Sequence, residues 1–397
     1  MMHIFLNCLA ASAGGGLTYL RNVLPPLSAR DAVRITVAAS SSLQQEFRDL
    51  PNIGWADLEP HRGAALRFWQ EQAILPRLIR QCGADVLISA GNFALWRSPI
   101  PQILLSGNSL YTSPDFYRDL RSRKDYRLWL DTRVKGIFAK QSVGWADRTV
   151  APSRAFADEL RRWAGGRVIP IHHGFNCETF CESGTGLPAP TQQKLDSAPH
   201  ALRLLFVSHY NYYRNFETLF QAIPLVQERL QGRRVVLFLT CKLRSEENPG
   251  SFRAEPAAAL VQRLGIAQQV VELGAIPYHL LHHVYRACDV YVTPAYAETF
   301  AHPLVEAMAS GLPVVAADLP VHREVCGEAA LYFQRFSPQE LAEHVLHLEA
   351  SCDLRKTLVE RGRSRAHEFS WEKHVDELLG LAARLTQDSS PKYRATA

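Results

Sequence analysis

Residues 289–318 read DVYVTPAYAETFAHPLVEAMASGLPVVAAD. The opening run, 289–293, is aliphatic and β-branched and stops at Pro294, which marks a short buried strand. A loop carrying Glu298 follows. Pro303 suits the first position of a helix, because its missing N–H is unpaired there anyway and its φ is already helical. On that reading Glu306 falls in the first turn, and Gly311 ends the helix before a second strand at 313–317. Strand, helix and strand in this order are the unit from which parallel sheets covered by helices are built.

Working outward, the same alternation fills the chain. Strands are expected at 3–10, 33–39, 84–90, 101–107 and 148–153, with helices at 16–24, 64–82, 116–140 and 154–164. Residues 181–200, CESGTGLPAPTQQKLDSAPH, break the pattern and read as a linker. A second series follows, with strands at 202–208, 234–240, 269–273, 289–294 and 313–317 and helices at 215–231, 255–264, 279–287, 303–310 and 338–350. The fold class is α/β, with two Rossmann-like, doubly wound domains. Domain one is expected over 1–180 and domain two over 201–370, with a last helix at 371–387 returning to the first domain and a frayed tail over the final ten residues. In such folds ligands bind outside the carboxyl ends of the strands, so two facing domains enclose a deep cleft.

The 397-residue length fits two domains. No apolar run is long enough to span a bilayer. The N-terminal MMHIFLNCLAASAGGG lacks a basic leader and is interrupted by Asn7, so it reads as a buried first strand rather than a signal peptide. Eight scattered cysteines in a long chain indicate reduced thiols and a cytoplasmic setting. The group His172, His173, Cys177 and Cys181 lacks the spacing of a zinc module and reads as a loop with two buried thiols. Charge is uneven: residues 1–180 carry 22 Lys+Arg against 15 Asp+Glu, and residues 181–397 carry 22 against 24. An anionic surface or ligand facing the front half is the expectation.

The residue chemistry here suits a ligand with a diphosphate in its middle and hydroxyl groups at both ends. Backbone N–H groups of Thr299, Phe300, Ala301 and His302 precede or open a helix and suit an anion. Glu298 and Glu306 flank that position and suit hydroxyl groups on either side. Either carboxylate alone is better explained as a loop or dipole-complementing residue. In SHYNYYRNFETL, residues 208–219, Arg214 beside a helix start is better explained by an intervening anion than by solvent. The glycines of Ala13-Gly14-Gly15-Gly16-Leu17 permit close backbone approach, but they are not a GxGxxG dinucleotide fingerprint. GNF (91–93) and SGNSLY (106–111) each stand at a strand end.

The context E-x-F-x-x-x-x-x-E-A-M-A-x-G-x-P-V-V is very similar to that of the retaining glycosyltransferases of family 4. With VIPIHHGFN, SHYNYYRNFETL and FSWEKHVDEL the resemblance spans nearly the whole chain. It implies the two-lobed GT-B fold and transfer of a sugar from a nucleotide-sugar to a glycan or lipid-linked acceptor, in envelope polysaccharide or lipopolysaccharide synthesis. It implies that Glu298 contacts the transferred sugar and Glu306 the ribose hydroxyls. Gly15 and Gly16 then lie beside the donor phosphate, and the turn from Leu273 to Ile276 meets the base. The family's Lys matches Arg214, while its upstream Arg is absent and His209 or Ser208 stands there. A His of many members is replaced by Asn108, which bonds hydroxyls but is no base near neutral pH. The catalytic set is therefore Glu298, Arg214 and Asn108.

No Asp-x-Asp occurs, so neither a metal nor another cofactor is expected, and the nucleotide-sugar is a co-substrate. Sugar-nucleotide epimerases and phosphorylases are weaker readings, since no lysine stands in a pyridoxal phosphate context. A non-catalytic sugar-binding protein is weaker still, since it would show no cluster of phosphate contacts. Residues 116–140 hold eight Lys+Arg against three Asp and form one long helical candidate. They are open to two readings, a solvated basic face and a peripheral contact with the inner membrane face. Nucleic acid is not expected, because base-stacking motifs are missing.

Overall fold

The computed structural model describes residues 1–11, 14–61, 63–181 and 186–388. Most of the linker's Gly-rich start (182–185), residues 12–13 of the first loop and the tail from 389 lie outside the described residues. The chain divides into two compact units. The first comprises Met1–Thr112, Leu130–Gly174 and the described part of Ser370–Ala397; the second comprises Ser113–Trp129 and Phe175–Phe369.

Among the described residues, seven strands of the first unit form one parallel sheet: β1 (Met2–Asn7), β2 (Val33–Ala38), β3 (Ile53–Trp55), β4 (Val86–Ser89), β5 (Gln102–Leu105), β6 (Arg148–Ala151) and β7 (Val168–Pro170). Their order is β3-β2-β1-β4-β5-β6-β7. Ile4 faces Ile35 on one side and Val86 on the other, and all three are fully buried. Burial on both faces explains the near-continuous apolar runs. The sequence reading passed over β3 and β7, which are three-residue edge strands with too little apolar length to register.

Six strands make the second unit's parallel sheet: β8 (Leu202–Phe206), β9 (Val235–Leu239), β10 (Val270–Glu272), β11 (Val290–Thr293), β12 (Val314–Ala317) and β13 (Ala330–Phe333), in the order β10-β9-β8-β11-β12-β13. The edge strand β13 was also missed. Residues expected to be plain linker form a helix, Ala189–Asp196, whose Leu195 is buried.

Residues 116–140 are not one helix. Pro114–Ser122 and Tyr126–Trp145 are separated at Lys124, whose φ is +55°. The first of these helices belongs to the second unit, where Asp115 pairs with Arg118 and Arg335. Arg123 donates to Asp119 and Glu217, both at 2.7 Å, and Tyr296 Oη donates to Asp119 at 2.7 Å.

Helix Trp371–Gln387 buries Trp371, Val375, Leu378, Leu381 and Leu385 in the first unit's core with Ile4, Leu6 and Leu20. Ser370 caps it, accepting from the N–H of Lys373. Its His374 donates from Nδ1 to the His172 carbonyl at 2.8 Å, so Nε2 is the acceptor for Tyr19 Oη, also at 2.8 Å. Burial pushes this imidazole down to about 4. A Cβ on Gly174 would lie 2.1 Å from the Trp371 nitrogen, which is why glycine stands there. The HHGFN segment therefore seats this helix. Among the described residues no group of three His, Cys, Asp or Glu could hold a metal ion. Cys177 is half-buried rather than buried, and the Cys181 side chain is outside the description.

Candidate active site

In the second unit the strand order reverses between β8 and β11, so the segments leaving these strands meet at a switch point. Two hydrogen bonds tie the segments together. Asn215 Nδ2 donates to the Pro294 carbonyl at 3.1 Å, and the Tyr296 N–H donates to the Tyr213 carbonyl at 3.0 Å. Asn215 adopts a left-handed conformation, φ +55°, and its Oδ1 accepts from Thr218 Oγ1 at 3.0 Å. Asparagine tolerates this geometry, which turns the chain out of the Tyr212–Arg214 turn into helix Phe216–Arg229.

The clamp sets Arg214 against Glu298. Their guanidinium and carboxylate form an ion pair with 18% and 9% of the side chains exposed. Tyr213 lies under the guanidinium, 5.2 Å from its ring centroid. His322, fully buried beyond β12, donates from Nδ1 to the Ala317 carbonyl, and its Nε2 is buried without a hydrogen-bond partner. Sequence reasoning missed His322 because helix Pro320–Cys326 carries no motif that marks it.

Helix His302–Ala309 begins one residue earlier than read, with Pro303 second. Ala301 precedes it at φ +64°, an uncommon conformation for a residue with a Cβ. Phe300 is buried against Phe369, ring centroids 5.2 Å apart, which keeps its side chain in the core. Thr299 and His302 flank this left-handed turn. Glu306 is not in the first turn. It is the fifth residue of the helix and points inward, 4% exposed, where Tyr285 Oη donates to it at 2.8 Å. Burial raises its carboxyl to about 7, against the smaller opposing effect of the Tyr285 hydrogen bond. A surface role complementing the helix dipole is thereby excluded. Leu273 is buried just past β10, its N–H donating to the Leu239 carbonyl at 2.8 Å, and Gly274 turns the chain at φ +83°.

His209 stands on the exposed part of the β8 loop. Ser208 Oγ donates to the His209 carbonyl at 2.7 Å, which leaves the imidazole as the group available to a ligand. Desolvation by the loop, and then the charge of Arg214, hold this imidazole below its ordinary value. It is therefore neutral near pH 7 in the unliganded protein and is not a standing second cation.

In the first unit three loops converge at the carboxyl ends of β1, β4 and β5. A Cβ on Gly91 would come within 2.8 Å of the Ala10 Cβ. Gly15 and Gly16 lie in the first turn of helix Gly14–Ser28, with Gly16 packed on Ala11. Ala13 is outside the described residues. Asn92, at φ +65°, accepts from the Gly107 N–H at 2.8 Å. Asn108 accepts from the Leu110 N–H at 3.0 Å, so its oxygen holds its own loop and its amide N–H₂ is the part left for a ligand. A buried carboxyl unnoticed in the sequence lies here too. Glu71 accepts from Asn7 Nδ2 at 3.0 Å, and burial raises it to about 7.

Two family models match the chain. Glycosyltransferase Family 4 covers residues 13–179, and Glycosyl transferases group 1 covers residues 189–365. The chain belongs to the family 4 glycosyltransferases. A D-inositol 3-phosphate glycosyltransferase of Streptomyces bingchenggensis is 30% identical over 60% of this chain and 52% of its own length. The O-antigen chain mannosyltransferase B of Escherichia coli is 33% identical over 27% of this chain and 28% of its own. The chain spans between half and three fifths of the length of three inositol phosphate glycosyltransferases that it matches.

Among solved structures, sucrose-phosphate synthase from Thermosynechococcus elongatus has a TM-score of 0.73 at 18% identity, covering 98% of this chain and 100% of that one. Anabaena HepE in complex with UDP-glucose has a TM-score of 0.68 at 16% identity, covering 97% and 100%. The chain thus has the GT-B fold, with two Rossmann-like units.

Proposed function

We propose that this chain is a retaining glycosyltransferase that moves a sugar from a nucleotide-sugar to a glycan or lipid-linked acceptor. The observation that carries the reading is the Arg214–Glu298 pair, clamped at the switch point between β8 and β11 with Glu306 buried behind it. A buried cation and carboxylate that neutralise each other are poised to exchange partners. When the donor enters, Arg214 turns to the diphosphate and Glu298 to the sugar hydroxyls. Glu306 takes the ribose, and backbone N–H groups around Ala301 meet phosphate oxygens. The backbone from Leu273 onward faces the base. In the first unit, taken by itself, Gly15 and Gly16 open the helix after β1 and the Asn108 amide stands after β5, groups suited to phosphate and hydroxyl oxygens.

In the reaction the bond between the anomeric carbon and the phosphate oxygen breaks. The acceptor oxygen bonds the same carbon on the same face, and its proton passes to the leaving phosphate oxygen. The charge that develops there is met by Arg214 and oriented N–H groups. No separate protein base and no metal ion is needed in this scheme. The local likeness to an O-antigen mannosyltransferase supports an acceptor in envelope polysaccharide synthesis.

The test is a thermal-shift screen of the full chain against a panel of nucleotide-sugars, beginning with UDP-glucose, followed by product analysis with and without EDTA. A donor at 100 times its dissociation constant should stabilise the protein by about 2.7 kcal/mol. No shift with any nucleotide-sugar would refute the donor site. Inverted product would refute the retaining course, and activity lost to EDTA would refute the metal-free account.

A further inference from the structure

Helix Tyr126–Trp145 is inverted relative to an ordinary surface helix. Its buried residues are mostly small, Thr132, Gly136, Ala139 and Ser142, with Val143 beside them. Its outward face carries large apolar ones: Leu130, Val134 and Ile137 are 58%, 45% and 58% exposed. Spacings of four and three place these on a single stripe. Helix Ala64–Cys82 packs beside it in the same unit, Phe68 against Phe138 with ring centroids 5.3 Å apart. That helix adds Leu66 and Trp69, which are 63% and 60% exposed. Water gains nothing from such a surface, and core packing does not use it.

The exposed charges on these two helices, within the first unit, are almost all positive. Arg77, Arg80, Arg133 and Lys140 are exposed, while the exposed carboxylate Asp131 is paired with Lys135 at 2.6 Å. Glu71 is buried on Asn7. Among the described residues no helix is long and apolar enough to cross a membrane.

We infer that this two-helix face docks on a lipid bilayer bearing anionic headgroups, with Trp69, Leu66 and the Leu130–Val134–Ile137 stripe entering the headgroup–acyl boundary. A bilayer supplies apolar depth and negative charge together, and tryptophan is at home at that boundary. A second copy of the chain presenting the same face would bring like charges together, so charge complementarity favours the lipid. The surface differs from the basic stretch expected from sequence, since half of that stretch belongs to the second unit and half of this face comes from residues 64–82.

The experiment is co-sedimentation of the full chain with vesicles of phosphatidylcholine, alone or mixed with phosphatidylglycerol. Wild type should bind the mixed vesicles, leave the neutral ones, and be released by salt. Trp69→Ser with Ile137→Ser should weaken binding by at least about tenfold with an unchanged melting temperature, since both side chains are exposed. Arg77→Gln with Arg80→Gln should weaken it too, and Trp69→Phe should largely preserve it. Failure of wild type to bind mixed vesicles, or equal binding by the Ser variant, would overturn the inference. So would a dimer in sedimentation equilibrium that the Ser variant abolishes while neither protein binds lipid.

Discussion

Arg214 and Glu298 each hold the other's charge out of water. Glu298→Gln and Arg214→Ala should both lower turnover by about 10²–10³-fold or more, since each removes charge placed for the transition state. They should differ in stability. Arg214→Ala strands a largely buried carboxylate and should cost about 3–5 kcal/mol; Glu298→Gln leaves the Arg214 charge unpaired but still accepts its hydrogen bond, and that guanidinium is twice as exposed, so the cost should be smaller. Near-normal turnover of either variant, or equal melting temperatures, would contradict this account.

Glu306 gives a second residue-scale test. Its folded value of about 7 lies above the usual carboxylate range, so the folded state binds more protons than the unfolded one between the two values. Its contribution thus becomes more unfavourable as pH rises through that window, levelling above pH ~7 at about 3 kcal/mol. Glu306→Gln should be more stable than wild type above neutrality and equal to it near pH 4, by chemical denaturation, while losing donor affinity.

For His209 the depressed value predicts proton uptake on donor binding. The esterified diphosphate has no proton to lose near neutrality. Affinity should therefore fall as pH rises above the free imidazole's value, by up to about tenfold per unit. Titration calorimetry across pH should show a steeper fall in wild type than in His209→Ala, the difference being the His209 contribution.

At the scale of elements, the positions that decide the site are joints. Asn215 and Tyr296 lash two loops together, and their bonds have no motif; only the strand order, which brings β8 beside β11, makes them neighbours. Gly174 is a joint of another kind, meeting the start of helix Trp371–Gln387. Gly174→Ala would drive a methyl group into the Trp371 backbone, which cannot yield as a flexible side chain can. A loss of roughly 3 kcal/mol or more is expected, read as a lowered denaturation midpoint. A neutral effect would mean that the helix is seated differently.

At the scale of the molecule, the chain's last described helix completes the first unit's core. Five large buried side chains at about 1.5–3 kcal/mol each approach the whole stability of a domain. A chain ending at residue 369 should leave the first unit unfolded and rapidly digested by protease, while the second unit, whose sheet is complete without that helix, persists. A protected first unit would refute this.

Amphipathic periodicity and turn residues were sufficient for two doubly wound units. Long two-sided burial leaves continuous apolar runs, and Ser, Pro and Gly mark helix ends through local geometry alone. The spacing of Glu298 and Glu306 was equally legible, being set within one loop and helix. What sequence could not decide depended on distant neighbours. Tertiary structure alone turned Glu306 inward on Tyr285, paired Arg214 with Glu298, and held His209 below its ordinary value. It also split the basic stretch at Lys124, paired Arg123 with Asp119 and Glu217, and set the apolar stripe of the helix after the split in the same unit as Trp69. Burial, pairing and exposure are properties of what surrounds a side chain, and in a parallel sheet those surroundings come from strands far apart in the chain.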